Sequence, residues 1–241
     1  MKATRALILA AGKGTRMNSD IPKVLNTIGE LTFIEMVVAA LSFNEIEQIG
    51  IIVSEENIDG IKEVLGDKVE YIIQKEQLGT GHAALCASDW LRNFTGNLIV
   101  VVGDAPFITQ EIMRNLISFH EDNCCTLLSS IWDNPPNYGR IVRNGNNEFI
   151  RIVEEKDATE AEKLIREVNS SHYIFDSGKL FAALNQLQNS NAQNEYYLTD
   201  VIELFSINKE KVQALPIKYN WMTLGVNTEA ELDIARDRGS I

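Results

Sequence analysis

The sequence predicts an α/β fold: a mostly parallel mixed sheet with helices on both faces and a small β-rich lid. Two observations support this. The first half of the 241 residues alternates short apolar runs with helical patterns, which is typical of parallel strands joined by right-handed crossovers. From about residue 134, turn-forming residues separate shorter apolar runs, which favours a hairpin and a lid.

The predicted elements follow from apolar periodicity and from the turn residues between the runs. In the first half we expect strands at residues 6–9, 49–53, 69–73 and 98–102, and helices at 32–41, 58–65 and 81–90. In the second half we expect a hairpin of residues 140–143 and 149–155, a further lid strand at 168–175, helices at 178–187 and 198–205, and a strand at 212–217.

The first predicted strand runs into a glycine turn with basic residues on both sides. Gly12 and Gly14 allow the backbone to approach a ligand closely, so its N–H groups can face an anion. Lys13, Arg16 and Lys23 add positive charge. The turn lacks the third glycine of the dinucleotide fingerprint and the Gly-Lys-Ser/Thr of a P-loop. It predicts a triphosphate-binding loop, with a solvated turn as the alternative.

A carboxylate follows the fourth predicted strand, in the sequence Gly103-Asp104. The carboxyl ends of parallel strands share one crevice, so Asp104 should face the glycine turn. Its oxygen suits Mg²⁺. The alternative is a helix N-cap, for which Thr109 is the better candidate. Asn227, which follows Gly225-Val, either caps the last helix or supplies a second oxygen to a metal.

The segment Gln74-Lys-Glu-Gln-Leu-Gly-Thr-Gly-His82 follows the third predicted strand. Gln74 and Gln77 carry both a donor and an acceptor, as reading a base edge requires. Gly79 permits close backbone approach, and Thr80 lies near a helix N-terminus, which favours phosphate. We expect His82 to pack or to form a hydrogen bond in the helix.

In the second half, Asn169 is a polar amide inside a predicted strand, so we expect it to have a definite partner. Glu155 and Asp157 are interpreted as solvated charges in a turn. Thr199 and Asp200 end a polar run that leads into a helix, and both are candidates for capping it.

Composition excludes some classes of function. The formal net charge of −12 argues against a nucleic-acid or anionic-membrane surface. No apolar run reaches the length of a membrane span, and the start of the chain does not fit a secretory signal. Cys86, Cys124 and Cys125 have no metal-ligand spacing, and we interpret them as buried thiols of a reducing, cytoplasmic compartment.

Several motifs together resemble a known family. The segments Leu9-Ala-Ala-Gly-Lys-Gly-Thr-Arg-Met and Pro22-Lys-Val-Leu are the signature of sugar-1-phosphate nucleotidyltransferases. The glutamine segment, Gly103-Asp-Ala-Pro, Tyr138-Gly-Arg-Ile, Val153-Glu-Glu-Lys-Asp-Ala-Thr, Asn191-Ala-Gln-Asn-Glu-Tyr-Tyr-Leu-Thr-Asp and Gly225-Val-Asn resemble the uridyltransferase domain of bifunctional N-acetylglucosamine-1-phosphate uridyltransferases. The resemblance covers nearly the whole chain in the same order.

The resemblance implies a Rossmann-like nucleotide-diphospho-sugar transferase fold and a Mg²⁺-dependent transfer of UMP from UTP to a sugar 1-phosphate. Its partners would be these small substrates, with no nucleic acid or membrane, and homo-oligomerisation stays open. It implies one domain over residues 1–241, in which 1–133 bind nucleotide, 134–227 form the sugar-binding part and lid, and 228–241 form a C-terminal helix.

The resemblance also implies roles for particular residues. The catalytic residues would be Arg16, Lys23 and Asp104, and the metal ligands Asp104 and Asn227. The nucleotide would contact Leu9, Ala10, Ala11, Gly12, Gly14, Lys23, Gln74, Gln77, Gly79, Thr80 and Gly103. The sugar would contact Gly139, Glu154, Asn169, Tyr197 and Thr199.

The chain departs from the family pattern at three places. Val102 stands where tyrosine is usual, Ser170-Ser171-His172 replaces a Thr-Gly pair, and no hexapeptide repeats of an acetyltransferase half precede the end at Ile241. A side chain at Ser171 narrows the sugar pocket or re-aims the strand. The alternatives are a transferase for another sugar phosphate or nucleotide, and a catalytically silent nucleotide-sugar binding protein.

Overall fold

The computed structural model describes residues 2–12, 14, 21–217 and 220–239. Within them the strands are β1 Thr4–Leu9, β2 Thr27–Ile28, β3 Leu31–Thr32, β4 Ile49–Val53, β5 Glu70–Ile73, β6 Asn97–Val102, β7 Cys125–Ile131, β8 Arg140–Arg143, β9 Phe149–Val153, β10 Glu167–Asp176 and β11 Val212–Pro216. The α-helices are α1 Phe33–Leu41, α2 Ile58–Leu65, α3 Thr80–Leu85, α4 Gln110–His120, α5 Glu160–Lys163, α6 Ser177–Leu184, α7 Leu198–Ile207 and α8 Glu229–Gly239. Short 3₁₀ turns lie at Lys23–Leu25, Cys86–Ser88 and Asn220–Thr223.

Nine of these described strands form one mixed sheet with the order β11-β7-β10-β6-β1-β4-β5, and the hairpin β8–β9 is attached to β10. Strands β6, β1, β4 and β5 are parallel. Strand β10 is antiparallel to both β6 and β7, and β11 is parallel to β7. The predicted mostly parallel mixed sheet is therefore confirmed.

The apolar core lies on both faces of this sheet, because successive strand residues point to opposite sides. Leu7 of β1 packs in the cluster that contains helices α3, α6 and α7. Its neighbour Ile8 packs in the cluster that contains α1, α2 and α4. Helices on both faces are therefore confirmed. No helix within the described ranges combines the length and apolarity needed to cross a membrane.

Strand β10 differs from its prediction. The sequence predicts residues 168–175 as part of the lid, whereas β10 lies in the main sheet between β6 and β7 and meets the hairpin at only one pair, Val168 with Arg140. Seven of its ten side chains are buried, and a strand buried in this way needs neighbours on its faces and its edges. Its neighbour β7 is absent from the sequence prediction.

Smaller differences concern element ends and one cysteine. The helix predicted at 81–90 ends at Leu85 and continues as a 3₁₀ turn. The strand predicted at 149–155 ends at Val153. Cys124 and Cys125 are buried as expected, but Cys86 is only partly buried. Burial of a thiol disfavours the charged thiolate, which raises the pKa of Cys124 to about 12.

The sheet brings three loops to one edge. Strands β1 and β6 are in register with Leu9 beside Val102, so both end at the same level. Strand β5 runs parallel to them through β4. The loops after β1, β5 and β6 therefore open on the same side, as expected for the carboxyl ends of parallel strands.

Candidate active site

Lys23, Asp104 and Asn227 meet at the carboxyl ends of β1 and β6. The Lys23 ammonium pairs with the Asp104 carboxylate and donates a hydrogen bond of 2.8 Å to Asn227 Oδ1. The Lys23 and Asp104 side chains are only 12% and 22% exposed. One carboxylate oxygen and one amide oxygen thus converge on a single cation, which is held partly away from solvent.

The backbone around Asp104 fixes this geometry. The N–H of Gly103 donates to Leu9 O at 2.9 Å, so the loop continues the pairing of β1 and β6. The N–H of Val226 donates to Asp104 O, also at 2.9 Å. A Cβ on Gly225 would lie 2.8 Å from Asp104 Oδ1. The loop of residues 224–227 therefore packs directly against the carboxylate, and a side chain at position 225 would displace the carboxylate or the loop.

The two converging oxygens fit a divalent metal. Mg²⁺ prefers hard oxygen ligands and usually takes one or two protein groups together with substrate phosphates. The Lys23 ammonium already stands between the two oxygens as a tethered cation. No group of three or more Asp, Glu, His or Cys side chains in the described part of the chain is arranged to hold a metal. The remaining ligands would therefore come from the substrate and water.

The capping alternatives for Asp104 and Asn227 are wrong. The Thr109 side chain caps α4 by accepting from the N–H of Ile112. At α8, the Glu231 carboxylate accepts from the N–H groups of Asn227 and Thr228, and Thr228 Oγ1 accepts from the N–H of Glu231. The side chains of Asp104 and Asn227 are thus left to face Lys23.

The glycine turn is anchored to the neighbouring strand. The N–H of Ala10 donates to Ile52 O at 2.9 Å, and Ala10 O accepts 2.8 Å from Asn57 Nδ2. Ala10 and Ala11 are buried, whereas a Cβ on Gly12 would meet nothing within 4 Å. Gly14 has a φ of +60°. Arg16 and Lys13 lie outside the described residues.

Asn57 anchors the glycine turn, a role that the sequence does not predict. It is 5% exposed, and its Oδ1 accepts from the N–H of Ser54 at 2.9 Å while its Nδ2 holds the glycine turn. Its only signal in the sequence is its place just before α2, where an asparagine is ordinarily interpreted as a cap. No side-chain cap hydrogen bond is formed there.

Gln74, the first residue of the glutamine segment, is buried and is only 3% exposed. Its Nε2 donates to Gly79 O at 3.2 Å and lies 2.9 Å from His82 Nδ1. The Gly79 carbonyl oxygen can only accept, so the side of the Gln74 amide that faces it must be the nitrogen. The Gln74 side-chain oxygen is then the atom that can bind a ligand. The hydrogen bond expected for His82 is confirmed.

The glutamine segment is joined to the second half of the chain. The N–H of Gly81 donates to Tyr196 O at 2.7 Å, and the N–H of Tyr196 donates to Leu78 O at 2.8 Å. Gly79 has a φ of +109°, and a Cβ there would lie 2.6 Å from Tyr196 O. Thr80 Oγ1 accepts from the N–H of Leu198. Gln77 is half-buried in the same turn.

The residues predicted for the sugar also come together. Thr199 Oγ1 donates to Glu154 Oε1 at 2.9 Å, and both Glu154 oxygens lie 3.5 Å from the position of a Cβ on Gly139. Burial raises the pKa of Glu154, and the Thr199 hydrogen bond opposes that shift. Tyr197 precedes α7 and is 7% exposed. No side-chain cap is formed at α7, so the capping alternative for Thr199 is wrong.

Asn169 has the definite partners that its place in a strand predicts. It is 2% exposed, its Nδ2 donates to Tyr173 Oη at 2.6 Å, and its Oδ1 accepts from the N–H of Ser171 at 3.1 Å. The register of β10 against β7 shifts between Asn169 and Tyr173. Ser171 lies in this bulge with a φ of +56°. The side chain of Asn169 therefore holds a bend in the strand.

Two buried basic residues have no role predicted from the sequence. His172 is fully buried, and its Nδ1 bonds to Ser170 O, whereas its Nε2 has no hydrogen-bond partner among the described residues. Burial lowers the pKa of His172 to about 4. The Arg140 guanidinium donates to the carbonyl oxygens of Pro136, Lys163 and Tyr138. Arg140 is 3% exposed and fixes the turn that carries Gly139.

Comparison with known proteins shows the family of the chain. Residues 5–236 match the family described as Nucleotidyl transferase. The chain belongs to this family. Nucleotidyl transferases use a nucleoside triphosphate and a sugar phosphate, generally with a divalent metal. The resemblance stated from the motifs is therefore confirmed at the level of the family.

Among curated nucleotidyl transferases, the chain is 45% identical over 232 residues to the bifunctional protein GlmU of Streptococcus uberis, which covers 95% of this chain and 50% of the relative. It is also 45% identical over 234 residues to the GlmU of Streptococcus thermophilus, covering 96% and 51%. The chain spans about half the length of these relatives.

A crystal structure from Bacillus anthracis, assigned as a glucose-1-phosphate thymidylyltransferase in complex with a sucrose, shares the fold. The two chains superpose with a TM-score of 0.78 at 20% identity, covering 98% of this chain and 95% of the other. At this identity the likeness concerns the fold alone. The predicted nucleotide-diphospho-sugar transferase fold is confirmed.

Proposed function

We propose that this chain transfers UMP from UTP to N-acetylglucosamine 1-phosphate, which gives UDP-N-acetylglucosamine and pyrophosphate. The observation that carries the proposal is the convergence of Asp104, Asn227 and Lys23 beside the glycine turn. The choice of UTP and of N-acetylglucosamine 1-phosphate is supported by the motif resemblance and by the similarity to bifunctional GlmU over half its length.

In the proposed reaction a phosphate oxygen of the sugar 1-phosphate attacks the α-phosphorus of UTP. A new P–O bond forms between this oxygen and the α-phosphorus. The bond between the α-phosphorus and the α,β-bridging oxygen breaks, and pyrophosphate leaves with that oxygen. Such a transfer depends on positioning and on neutralisation of charge rather than on covalent help from the protein. Asp104 and Asn227 would hold Mg²⁺, which when bound neutralises phosphate charge. Lys23 and Arg16 would contribute the protein's own positive charge.

The glycine turn would bind the nucleotide through the backbone of residues 9–12 and of Gly14. Its anchoring by Asn57 and by β4 keeps the N–H groups in place before the ligand arrives. The Gln74 oxygen, with Gln77, Gly79 and Thr80, would read the uracil. Because the Gln74 nitrogen already donates within the protein, the Gln74 oxygen would face the ligand and would accept a hydrogen bond from a donor on the base.

The sugar would lie against Gly139, Glu154 and Thr199. Thr199 occupies one oxygen of Glu154, and the other oxygen can accept from a sugar hydroxyl. The absence of a side chain at Gly139 leaves room in front of both carboxylate oxygens. Asn169 and Tyr197 would line the same pocket. We propose that residues 134–227 form this sugar-binding part of a single domain, beside the nucleotide-binding residues 1–133 and the C-terminal helix at 228–241.

The test is a substrate panel on the purified chain. Each of four nucleoside triphosphates is paired with N-acetylglucosamine, glucosamine and glucose 1-phosphates, and pyrophosphate release is followed with Mg²⁺. We expect the highest kcat/KM with UTP and N-acetylglucosamine 1-phosphate. A higher kcat/KM with another sugar phosphate or nucleotide would show that the proposed substrate is wrong. If no pair gave pyrophosphate release, the result would favour a catalytically silent binding protein.

Matched variants connect the activity to the site. Asp104→Asn keeps the shape of the side chain but removes the charge, so we expect kcat to fall at least about 100-fold while circular dichroism is unchanged. Asp89→Asn is the control, because Asp89 is 87% exposed and pairs only with Arg92 among the ion pairs of the described residues. Equal activities of the two variants would contradict the role of Asp104.

A further inference from the structure

The hydroxyl of Tyr138 lies between the sugar pocket and the metal ligands. Tyr138 Oη donates to Gly225 O at 3.0 Å and accepts from the N–H of Gly225 at 3.1 Å and from Asn227 Nδ2 at 3.4 Å. The next residue in the chain is Gly139, which lies against Glu154. One side chain thus connects the turn of the sugar pocket to the loop that carries Asn227.

These hydrogen bonds orient the Asn227 amide. Its nitrogen donates to Tyr138 Oη and, at 3.1 Å, to Gly225 O. With the nitrogen held by two acceptors, the oxygen is directed to the cation position beside Asp104. Loss of the Tyr138 hydroxyl removes one of these acceptors and two hydrogen bonds to Gly225. The loop then keeps its bond to Asp104 but loses its restraint from the sugar side.

Hydrogen bonds hold the turn that carries Tyr138 together as one unit with Gly139. The N–H of Tyr138 donates to Pro136 O at 2.8 Å, and its carbonyl accepts from the buried Arg140 guanidinium. The carbonyl of Gly139 accepts from the N–H of Asn169 at 2.8 Å. A ligand that fixes Gly139 therefore fixes the Tyr138 hydroxyl, and through it the amide of Asn227.

We propose that Tyr138 is a positioning residue that couples the sugar pocket to the metal site. This inference rests on the proposed function. Binding of the sugar part and binding of the metal favour the same arrangement of residues 225–227, so each strengthens the other by the same factor. The Tyr138 hydroxyl contributes about three- to tenfold to the factor by which the metal tightens sugar binding, which is the range expected for a neutral hydrogen bond.

The test measures binding of UDP-N-acetylglucosamine by titration calorimetry with and without Mg²⁺. We expect Mg²⁺ to tighten binding to the wild-type protein, and Tyr138→Phe to reduce this metal factor about three- to tenfold while binding without metal is unchanged. The matched control is Tyr71→Phe, because Tyr71 Oη donates to Gly66 O at 2.7 Å in an exposed position. This control should keep the wild-type factor.

The outcomes separate the coupling from the proposed function. An unchanged factor in Tyr138→Phe overturns the coupling. Equal weakening with and without Mg²⁺, together with a lower Tm, also overturns it, because the hydroxyl is then only structural. Adding Tyr138→Phe to Asn227→Ala should produce no further loss of the factor, and a further loss contradicts action through Asn227. If the wild-type protein releases no pyrophosphate and binds no UDP-sugar, the proposed function fails as well.

Discussion

Replacement of Ser171 by glycine tests whether strand β10 is strained beside the proposed sugar pocket. Ser171 has a φ of +56°, a left-handed conformation that non-glycine residues rarely adopt. The other described non-glycine residues with positive φ, which are Glu121, Asn147, Asn194 and Lys209, lie outside strands and helices. Ser171 lies inside β10, where its N–H donates to Asn169 Oδ1. Its strained conformation is therefore set by the bulge.

The size of the strain follows from comparing two variants of Ser171. A left-handed conformation lowers the stability of the folded state by about 1–2 kcal/mol for a residue with a Cβ. A glycine avoids this loss, but it lowers stability by about 0.4–1 kcal/mol because it gives the unfolded chain more conformational freedom. Ser171→Gly and Ser171→Ala both lose the hydroxyl, which is near the Tyr173 phenol, so its contribution cancels between them. We expect Ser171→Gly to be more stable than Ser171→Ala by about 1 kcal/mol.

The assay is equilibrium unfolding in urea, which gives the free energy of unfolding and the m-value for each variant. The control is the neighbouring Ser170, which does not have a positive φ. There we expect the opposite order, with the glycine variant about 0.5–1 kcal/mol less stable than the alanine variant. If Ser171→Gly were no more stable than Ser171→Ala, the strain at this position would be refuted.

Three further predictions concern the cation site and the response to acid. Lys23→Met should tighten the binding of Mn²⁺ to the nucleotide-free protein about tenfold or more, because the ammonium no longer competes for Asp104 and Asn227. The Mn²⁺ affinity is measured by electron paramagnetic resonance, and an unchanged affinity would contradict this competition. Gly225→Ala should lower kcat about 10- to 100-fold at unchanged circular dichroism, because its Cβ would lie 2.8 Å from Asp104 Oδ1; wild-type kcat would show that the loop adjusts. His120 is fully buried, and burial lowers its pKa to about 4, so below pH 6.5 the unfolded chain binds a proton that the folded chain does not, and the free energy of unfolding falls as the pH falls. His120→Met should remove about 2 kcal/mol of this loss between pH 7.5 and pH 5. If urea unfolding gave the same dependence of stability on pH for the variant and the wild type, the role of His120 would be wrong.

The parts of the site that follow strand ends could be predicted from the sequence. A buried apolar run followed by a glycine turn or by Gly103-Asp104 is a local signal, and the parallel order of strands places both at one edge. The structure accordingly brings Asp104 and Lys23 together. Local capping signals were also informative, because Thr109 does cap α4.

The rest depends on contacts between distant parts of the chain. Strand β10 pairs with β6, which lies about seventy residues earlier, and an alternating pattern in a window does not specify a partner. The Tyr138 hydroxyl reaches Gly225 across 87 positions of the sequence. The motif Tyr-Gly-Arg contains this residue, but its composition gives no indication of which loop the hydroxyl meets. The bend at Ser171 is likewise visible only in the backbone angles.

The position of β10 limits how the specificity of such an enzyme can be engineered. Since β10 separates β6 from β7 in the sheet, residues 134–227 cannot be exchanged as a cassette without rebuilding the central core. The hairpin β8–β9 is different, because it joins the sheet through a single pair with β10. Grafting that hairpin from a relative with another sugar preference would leave the rest of the sheet in register. Design of new sugar nucleotides on this scaffold should therefore begin at the hairpin and leave β10 in place.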